Sequence, residues 1–275
     1  MRHHAPRKRF GQNFLTDQSV IDRIVDAVEI TAGTHVVEIG PGRAALTLPL
    51  LKALNAHQGS LTVVEIDRDL AADLPLRLLG ESQSYLNIVQ QDGLTVDFSS
   101  LRAPDAKRFH VVGNLPYNVS TPLLFHLLSF AHSIDRGVFM LQREVVDRIC
   151  AAPGSKDYGR LSVMMQYYAA VRPLINVPPG AFYPPPKVHS AVFAFEPYST
   201  KPICADDEAV LASVVRDAFG QRRKMLRAIF KNRLLPSDFE QAGVAETQRA
   251  ENLSLHDFVT LSNVLAAKEG AQQQA

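Results

Sequence analysis

Five short apolar runs recur through the first half of the chain: HVVEI (35–39), LTVVEI (61–66), YLNIVQ (85–90), FHVVGN (109–114) and GVFML (137–141). They are near-continuous rather than alternating, the pattern of strands buried on both faces of a parallel sheet. Between them the apolar spacing shifts to the helical period, over about 44–55, 69–79 and 121–131. Ahead of the first run, Val20, Ile21, Ile24, Val25 and Val28 follow helical spacing, with Thr16 placed as the N-cap. This alternation predicts a doubly wound, Rossmann-like α/β domain with a mostly parallel sheet. VRPLINV (171–177) and VHSAVFAF (188–195) predict further strands, the last as an antiparallel edge.

The pattern then changes. EPYSTKPICAD (196–206) has two prolines and no periodicity, and reads as a linker. Helices are expected over Asp206–Phe219, Arg222–Leu235 and Ser254 to about Ala267, with the terminal AQQQA fraying. The expected division is a basic arm over 1–16, an α/β domain over 17–198 and a small all-helical domain over 206–268.

At 275 residues and 46% hydrophobic, the chain can bury a proper core. Cys150 and Cys204 stand apart from each other and from any histidine at ligand spacing, so neither a disulfide framework nor a metal site is expected. No run approaches the ~18 apolar residues of a membrane span, and the basic start lacks an apolar core. A soluble, cytoplasmic protein is expected. The net charge of +1 says little, but its distribution says more. Arg2, Arg7, Lys8 and Arg9 open the chain without an acid, and residues 216–233 hold seven basic residues against Asp217 alone. Such clusters suit a phosphate backbone; the plainer reading of either one is a solvated helix face.

Candidate chemistry gathers where the predicted strands end. Gly40, Pro41 and Gly42 follow the first strand, where glycine permits a tight turn and close approach of a ligand. The loop departs from the dinucleotide fingerprint, since Ala45 takes the third glycine position. Glu65 ends the second strand, placed to accept ribose hydroxyl protons, and Asp92 follows the third, placed to meet an adenine edge. A nicotinamide would fit such a fold, but the carboxylates of Glu38 and Asp92 suit the sulfonium of S-adenosylmethionine better than a pyrophosphate.

After the fourth strand comes Asn114-Leu115-Pro116-Tyr117. As simple structure it is a strand-to-helix turn in which Pro116 keeps Leu115 extended. The same restriction has a chemical use. An adenine amino nitrogen is a poor nucleophile because its lone pair is delocalised into the ring. If the Asn114 side-chain oxygen and the Leu115 carbonyl each accept one of its N–H groups, the nitrogen can pyramidalise toward a methyl donor. Tyr117 offers a ring for the base to stack on, and Phe182, before the proline run 184–186, is expected opposite it.

RKRFGQNFL (7–15), EIGPGRAALT (38–47), VEIDRDL (64–70), QQDGLT (90–95), GNLPYNVSTPL (113–123), LQREVVDR (141–148), YGRLSV (158–163), FYPPPKVHSAV (182–192), QRRKMLR (221–227) and RAENLS (249–254) resemble, in order, the motifs of the KsgA family. These are the small-subunit ribosomal RNA adenine dimethyltransferases. The resemblance implies dimethylation of N6 on two adjacent adenosines near the 3′ end of 16S rRNA, in a precursor of the small ribosomal subunit. By the same resemblance, cofactor contacts fall on Asn13, Leu15, Gly40, Glu65, Asp92 and Asn114, with Gln12, Glu38, Gly42, Ile66 and Gly93 completing the set. The target adenine falls to Asn114, Leu115, Tyr117 and Phe182. RNA contacts are expected at Arg7, Lys8, Arg9, Arg222, Arg223, Lys224 and Arg227, and the chain is expected to act as a monomer. Arg43 stands where many relatives have an apolar residue, and Ala44 where they have glycine.

Two other readings use the same residues. Large-subunit rRNA adenine methyltransferases of the macrolide-resistance type share the loop and the amine-gripping motif. A non-catalytic ribosome-assembly or transcription factor could keep the fold and use only RNA binding. FYPPPKVHSAV and QRRK favour the small-subunit family over the first, and the complete set of methyl-transfer residues favours an enzyme over the second.

Overall fold

The computed structural model describes residues 13–81 and 85–273. In chain order they form β1 (Phe14–Leu15), α1 (Gln18–Ala27), β2 (Thr34–Ile39), α2 (Thr47–Ala56), β3 (Ser60–Glu65), α3 (Arg68–Arg77), β4 (Leu86–Gln90), β5 (Arg108–Asn114) and α4 (Ser120–Leu128). Then follow β6 (Arg136–Gln142), α5 (Arg143–Ile149), α6 (Arg160–Tyr168), β7 (Ala169–Val177), β8 (Phe182–Tyr183) and β9 (Ser190–Pro197). The last part holds α7 (Glu208–Gly220), α8 (Leu226–Ile229), α9 (Pro236–Ala242) and α10 (Leu255–Gln273). The chain divides into two compact units, one of residues 1–146 and 170–197, the other of 147–169 and 198–275. The second therefore takes in α6, a segment read from sequence as part of the 17–198 domain.

In the first unit a seven-stranded sheet runs in the order β4-β3-β2-β5-β6-β9-β7. The pairs among β4, β3, β2, β5 and β6 are parallel, which suits the nearly unbroken buried runs of β2, β3, β5 and β6, while β4, at the sheet's end, is only partly buried. The order turns back between β2 and β5, so a crevice opens beyond Ile39 and Asn114, where doubly wound sheets bind ligands. Leu50, Leu51 and Leu54 of α2 join Val36, Leu61, Val63 and Val112 of the strands in one buried cluster. Gly113 is forced by packing: a Cβ there would lie 2.7 Å from the Leu115 side chain and 2.9 Å from the Ile39 carbonyl.

Two readings of this unit are corrected. The cap of α1 is Asp17, whose carboxylate accepts the Ser19 and Val20 amides at 2.9 and 3.2 Å. Thr16 cannot take that part, because its amide and hydroxyl both donate to the Ala181 carbonyl. The strand read as an antiparallel edge, β9, is antiparallel to β6 but lies inside the sheet, and β7 forms the edge. The burial of each fits its place: β9 is buried over six successive residues, whereas β7 is exposed at Ala170, Arg172, Pro173 and Asn176.

His35 and His110 are buried in neighbouring strands, and burial pushes each imidazole down from 6.5 to about 4. An unfolded chain takes up these protons near pH 6.5 and the folded chain does not. The stability they contribute is therefore fully present above pH 6.5 and is lost as pH falls toward 4, by at most about 3 kcal/mol per ring. Burial raises the Glu38 carboxyl to about 8, which acts in the opposite sense over the same window, so the test compares wild type with His35→Gln. The difference in stability between the two, read by urea unfolding, should shift against wild type by about a kcal/mol or more between pH 7 and pH 5. An unchanged difference would mean that His35 ionises in the native protein.

In the second unit α10 packs on α7 and α9. Leu211, Val214, Val215 and Ala218 of α7 and Phe258, Val259 and Leu261 of α10 are fully buried, and Phe219 meets Phe258 at 5.6 Å between ring centroids. The segment read as a linker is tied down within this unit. Tyr198 N donates to the Tyr168 carbonyl, the Ala205 amide to the Tyr167 hydroxyl, and Lys201 lies 4.3 Å over both tyrosine rings.

The helix expected over Arg222–Leu235 is broken. Only α8 is helical there, and a separate helix, α9, starts at Pro236 and ends in left-handed Gly243. The Leu226 and Arg227 amides donate instead to the Gln248 and Glu246 carbonyls. A continuous helix would also stack Arg223, Arg227 and Lys231 at four-residue spacing, where like charges repel.

Candidate active site

β2 ends in a loop whose backbone turns by left-handed residues: Gly40, Gly42 and Ala44 have φ of +70°, +55° and +68°. The Gly40 amide donates to the Val64 carbonyl at 2.9 Å, and that of Ala44 to Pro41 at 2.8 Å, which holds the loop against the strand ends. Ala44 adopts the conformation that glycine takes most easily, so the alanine is accommodated with some strain.

Two buried carboxylates flank this loop. Glu65, at the end of β3, accepts the Asp67 amide on Oε1 at 2.9 Å and the Gly42 amide on Oε2 at 3.4 Å. Burial raises its carboxyl above the usual range, and the bonds to Asp67 and Gly42 act against that rise. Glu38 is 2% exposed, and its Oε2 has no hydrogen-bond partner. Burial pushes Glu38 up to about 8, and the neighbouring Glu65 adds to the rise. Asp92 follows β4 in a turn closed by the Leu94 amide on its Oδ1 at 2.9 Å.

β5 delivers the third group. Leu115 is 1% exposed and its amide donates to the Met140 carbonyl at 3.1 Å, so this residue is pinned to the neighbouring strand. Pro116 O accepts the Val119 amide, which turns the chain into α4. The Asn114 Nδ2 donates to the Asn13 carbonyl at 3.4 Å. Among the described residues nothing donates to Asn114 Oδ1 or to the Leu115 carbonyl. The Tyr117 hydroxyl is 2.6 Å from Ser190 Oγ, and burial raises its pKa.

These groups line one cavity of about 370 Å³, inside the ~300–1,000 Å³ range of small-molecule sites. The sequence-derived residues Asn13, Leu15, Glu38, Gly40, Gly42, Glu65, Ile66, Asp92, Gly93 and Asn114 to Tyr117 all lie in its wall. Phe182 does not. β8 pairs with β1, placing Phe182 opposite Leu15, and its ring is 4% exposed within the apolar core. The stacking position expected for Phe182 is thus corrected; the exposed aromatic of that strand is Tyr183, at 64%. Gln12, Arg7, Lys8 and Arg9 lie outside the described residues. No group of three or more possible metal-binding side chains occurs among the described residues.

Phe14 and Arg43 also line the cavity and were not singled out as site residues. The guanidinium of Arg43 lies 4.3 Å over the Phe14 ring. An aromatic residue inside a basic stretch carries no signal of its own.

In the second unit the expected RNA contacts separate into two kinds. Arg222 is held by Glu251 at 2.8 Å and by the Lys156 carbonyl at 2.7 Å, and Arg227 reaches Glu246 at 3.5 Å. Arg223 and Lys224 are exposed and form no ion pair among the described residues.

The sheet order, with the glycine loop and strand-end acids at its switch point, is that of a class I, Rossmann-like methyltransferase. A solved structure agrees: a dimethyladenosine transferase from Plasmodium falciparum matches at a TM-score of 0.75 and 25% identity, over 90% of this chain and 95% of that one. The profile of the family described as ribosomal RNA adenine dimethylase matches residues 3–267. The ribosomal RNA small subunit methyltransferase A of Acinetobacter baylyi is 54% identical over 260 residues, 94% of this chain and 92% of its own. The protein of the same name from Psychrobacter cryohalolentis is 51% identical over 272 residues, 97% and 93% of the two chains. The chain belongs to the ribosomal RNA adenine dimethylase family.

Proposed function

We propose that this chain transfers methyl groups from S-adenosylmethionine to N6 of two adjacent adenosines near the 3′ end of small-subunit rRNA. The product is N6,N6-dimethyladenosine, formed in the cytoplasm on a late precursor of the subunit. One observation carries the reading: Asn114–Tyr117 faces the same cavity as the glycine loop and Glu65. Relatives about half identical to this chain bear the small-subunit name, which supports that subunit over the large one.

The cavity suits the cofactor by its chemistry. Glu38 presents a buried carboxyl oxygen with no partner, and a cation bound beside it would favour the ionised form that burial disfavours. Glu65 is placed for the ribose hydroxyls, Asp92 for the adenine amino group, and the loop backbone at Gly40 leaves room beside them. When bound, S-adenosylmethionine supplies an electrophilic methyl group. The remaining work is orientation by the protein. In the first transfer Asn114 Oδ1 and the Leu115 carbonyl would accept the two N–H groups of the target amine, and in the second one of them would accept the single N–H left. In each the S–CH3 bond is exchanged for N–CH3, S-adenosylhomocysteine leaves, and the amine's proton is lost to solvent. Pro116 and the hydrogen bond from the Leu115 amide to Met140 keep the Leu115 carbonyl fixed. Tyr117, anchored at its hydroxyl by Ser190, supports the flipped base. Placement of this kind can contribute several kcal/mol, about 7–11 where the reacting atoms are fully aligned.

Labelled cofactor incubated with unmethylated small subunits, large subunits and free rRNA tests the reading. Label should enter the small subunit alone. Label in the large subunit would move the chain to the macrolide-resistance type, and binding without label would make it a non-catalytic factor.

On the second unit, replacing Arg223 and Lys224 together by glutamine should weaken subunit binding about tenfold and flatten its salt dependence by about two ions. Arg222→Gln should do less to binding, because Glu251 already neutralises that charge. A double variant with a wild-type salt slope would remove this patch from the RNA contact.

A further inference from the structure

Arg43 adds a full positive charge beside a site proposed to take a cationic cofactor, and the surrounding geometry accounts for where that charge goes. Its guanidinium covers the face of Phe14 at 4.3 Å from the ring centroid. The ring lies beside the glycine loop, on the side to which a side chain at residue 42 would point, and it lines the cavity together with Gly42 and Arg43. Phe14 belongs to β1, a strand of two residues that pairs with β8 alone. So short a ladder holds a segment poorly by itself. Beyond it, the Thr16 amide and hydroxyl both donate to the Ala181 carbonyl. At its other end, the Asn13 carbonyl receives the Asn114 Nδ2.

We infer that Arg43 is a positioning residue: by clamping Phe14 it fastens the Asn13–Leu15 strand across the cofactor loop, and through Asn13 it sets the rotamer of Asn114. The bond to Asn13 points the amide nitrogen of Asn114 away from the target and leaves Oδ1 for the adenine amine. Arg43 therefore couples the loop that holds the cofactor to the side chain that aims the nucleophile. It touches neither reacting atom. The catalytic consequence rests on the cavity being the cofactor site, whereas the clamp itself does not.

The test compares Arg43→Leu, which keeps an apolar side chain but no cation, with Arg43→Lys, which keeps the charge over the ring. Two measurements are made on each: amide hydrogen exchange at residues 14–16 in the protein without cofactor, and methyl-transfer kinetics with S-adenosylhomocysteine affinity by calorimetry. Arg43→Leu should exchange those amides roughly three- to thirty-fold faster, the range of a cation–π contact. It should raise KM for the cofactor by a similar factor and lower kcat several-fold through Asn114. Arg43→Lys should recover most of both effects. Exchange at wild-type rates in Arg43→Leu would overturn the clamp. Lost affinity without faster exchange would overturn it too, since Arg43 would then be a direct ligand. Failure of the wild-type protein to bind S-adenosylhomocysteine would overturn the cofactor reading instead, with the exchange data still deciding the clamp.

Discussion

Asn114→Ala should lower the rate of methyl transfer by about 10²–10³-fold while leaving subunit binding unchanged. The size follows from what is removed. The alanine deletes one of two acceptors that orient the amine, and a single fixed hydrogen bond at a developing charge is worth about 3–4 kcal/mol. It also deletes the donor to the Asn13 carbonyl, so cofactor affinity should fall a few-fold as the strand at 13–15 loosens. Because the side chain holds no other described partner, the fold should survive. Asn114→Asp keeps an oxygen acceptor but loses the Nδ2 donor, and should retain a measurable part of the rate. Single-turnover kinetics on small subunits, with subunit binding measured alongside, separate these effects. Turnover of Asn114→Ala within a few-fold of wild type would take Asn114 out of the mechanism.

Glu65→Ala should weaken cofactor binding by about a hundredfold. The carboxylate fixes the Gly42 and Asp67 amides and is the acceptor placed for the ribose. Hydrogen bonds to a charged group contribute about 1.5–3 kcal/mol each, and losing the ribose pair while freeing the loop gives the stated size. Glu65→Gln should fall between, because its amide can accept on one side only and must turn a donor toward one of two backbone donors. Titration calorimetry with S-adenosylmethionine, run beside thermal unfolding, reads the effect directly. An affinity within threefold of wild type, in a folded variant, would place the cofactor elsewhere.

Both of these residues could be found without coordinates, for different physical reasons. The parallel strands β2, β3 and β5 are buried on both faces, so their apolar runs are unbroken and their ends are easy to locate. A ligand site at the carboxyl edge then singles out whatever polar residue ends each run, which is how Glu65, Asp92 and Asn114 stood out. Asn13 and Leu15 came from the family resemblance alone. Their place in the cavity depends on β1 pairing with β8, a contact across more than 160 residues that no local pattern records.

The same limit explains the departures. Whether β7 or β9 forms the edge is decided by which strand meets β6, and Pro173 in β7, which cannot donate to a ladder, suits β7 to the edge. Thr16 and Asp17 can each cap a helix; tertiary bonding to Ala181 assigned Thr16 elsewhere. Phe182 reads as an aromatic poised beside prolines, yet strand alternation turns it into the core and Tyr183 outward. Arg43 looked like an unexplained charge because its partner, Phe14, is distant in sequence.

The cavity and the Asn114–Tyr117 turn are proposed to act together in methylating adenine N6 of small-subunit rRNA. The most direct measurement is mass mapping of nucleosides from unmethylated small subunits treated with the purified protein and S-adenosylmethionine. The expected result is N6,N6-dimethyladenosine at two adjacent positions near the 3′ end, absent when Asn114→Ala is used. Methyl groups on another base, on another atom of adenine, or at unrelated positions would contradict it.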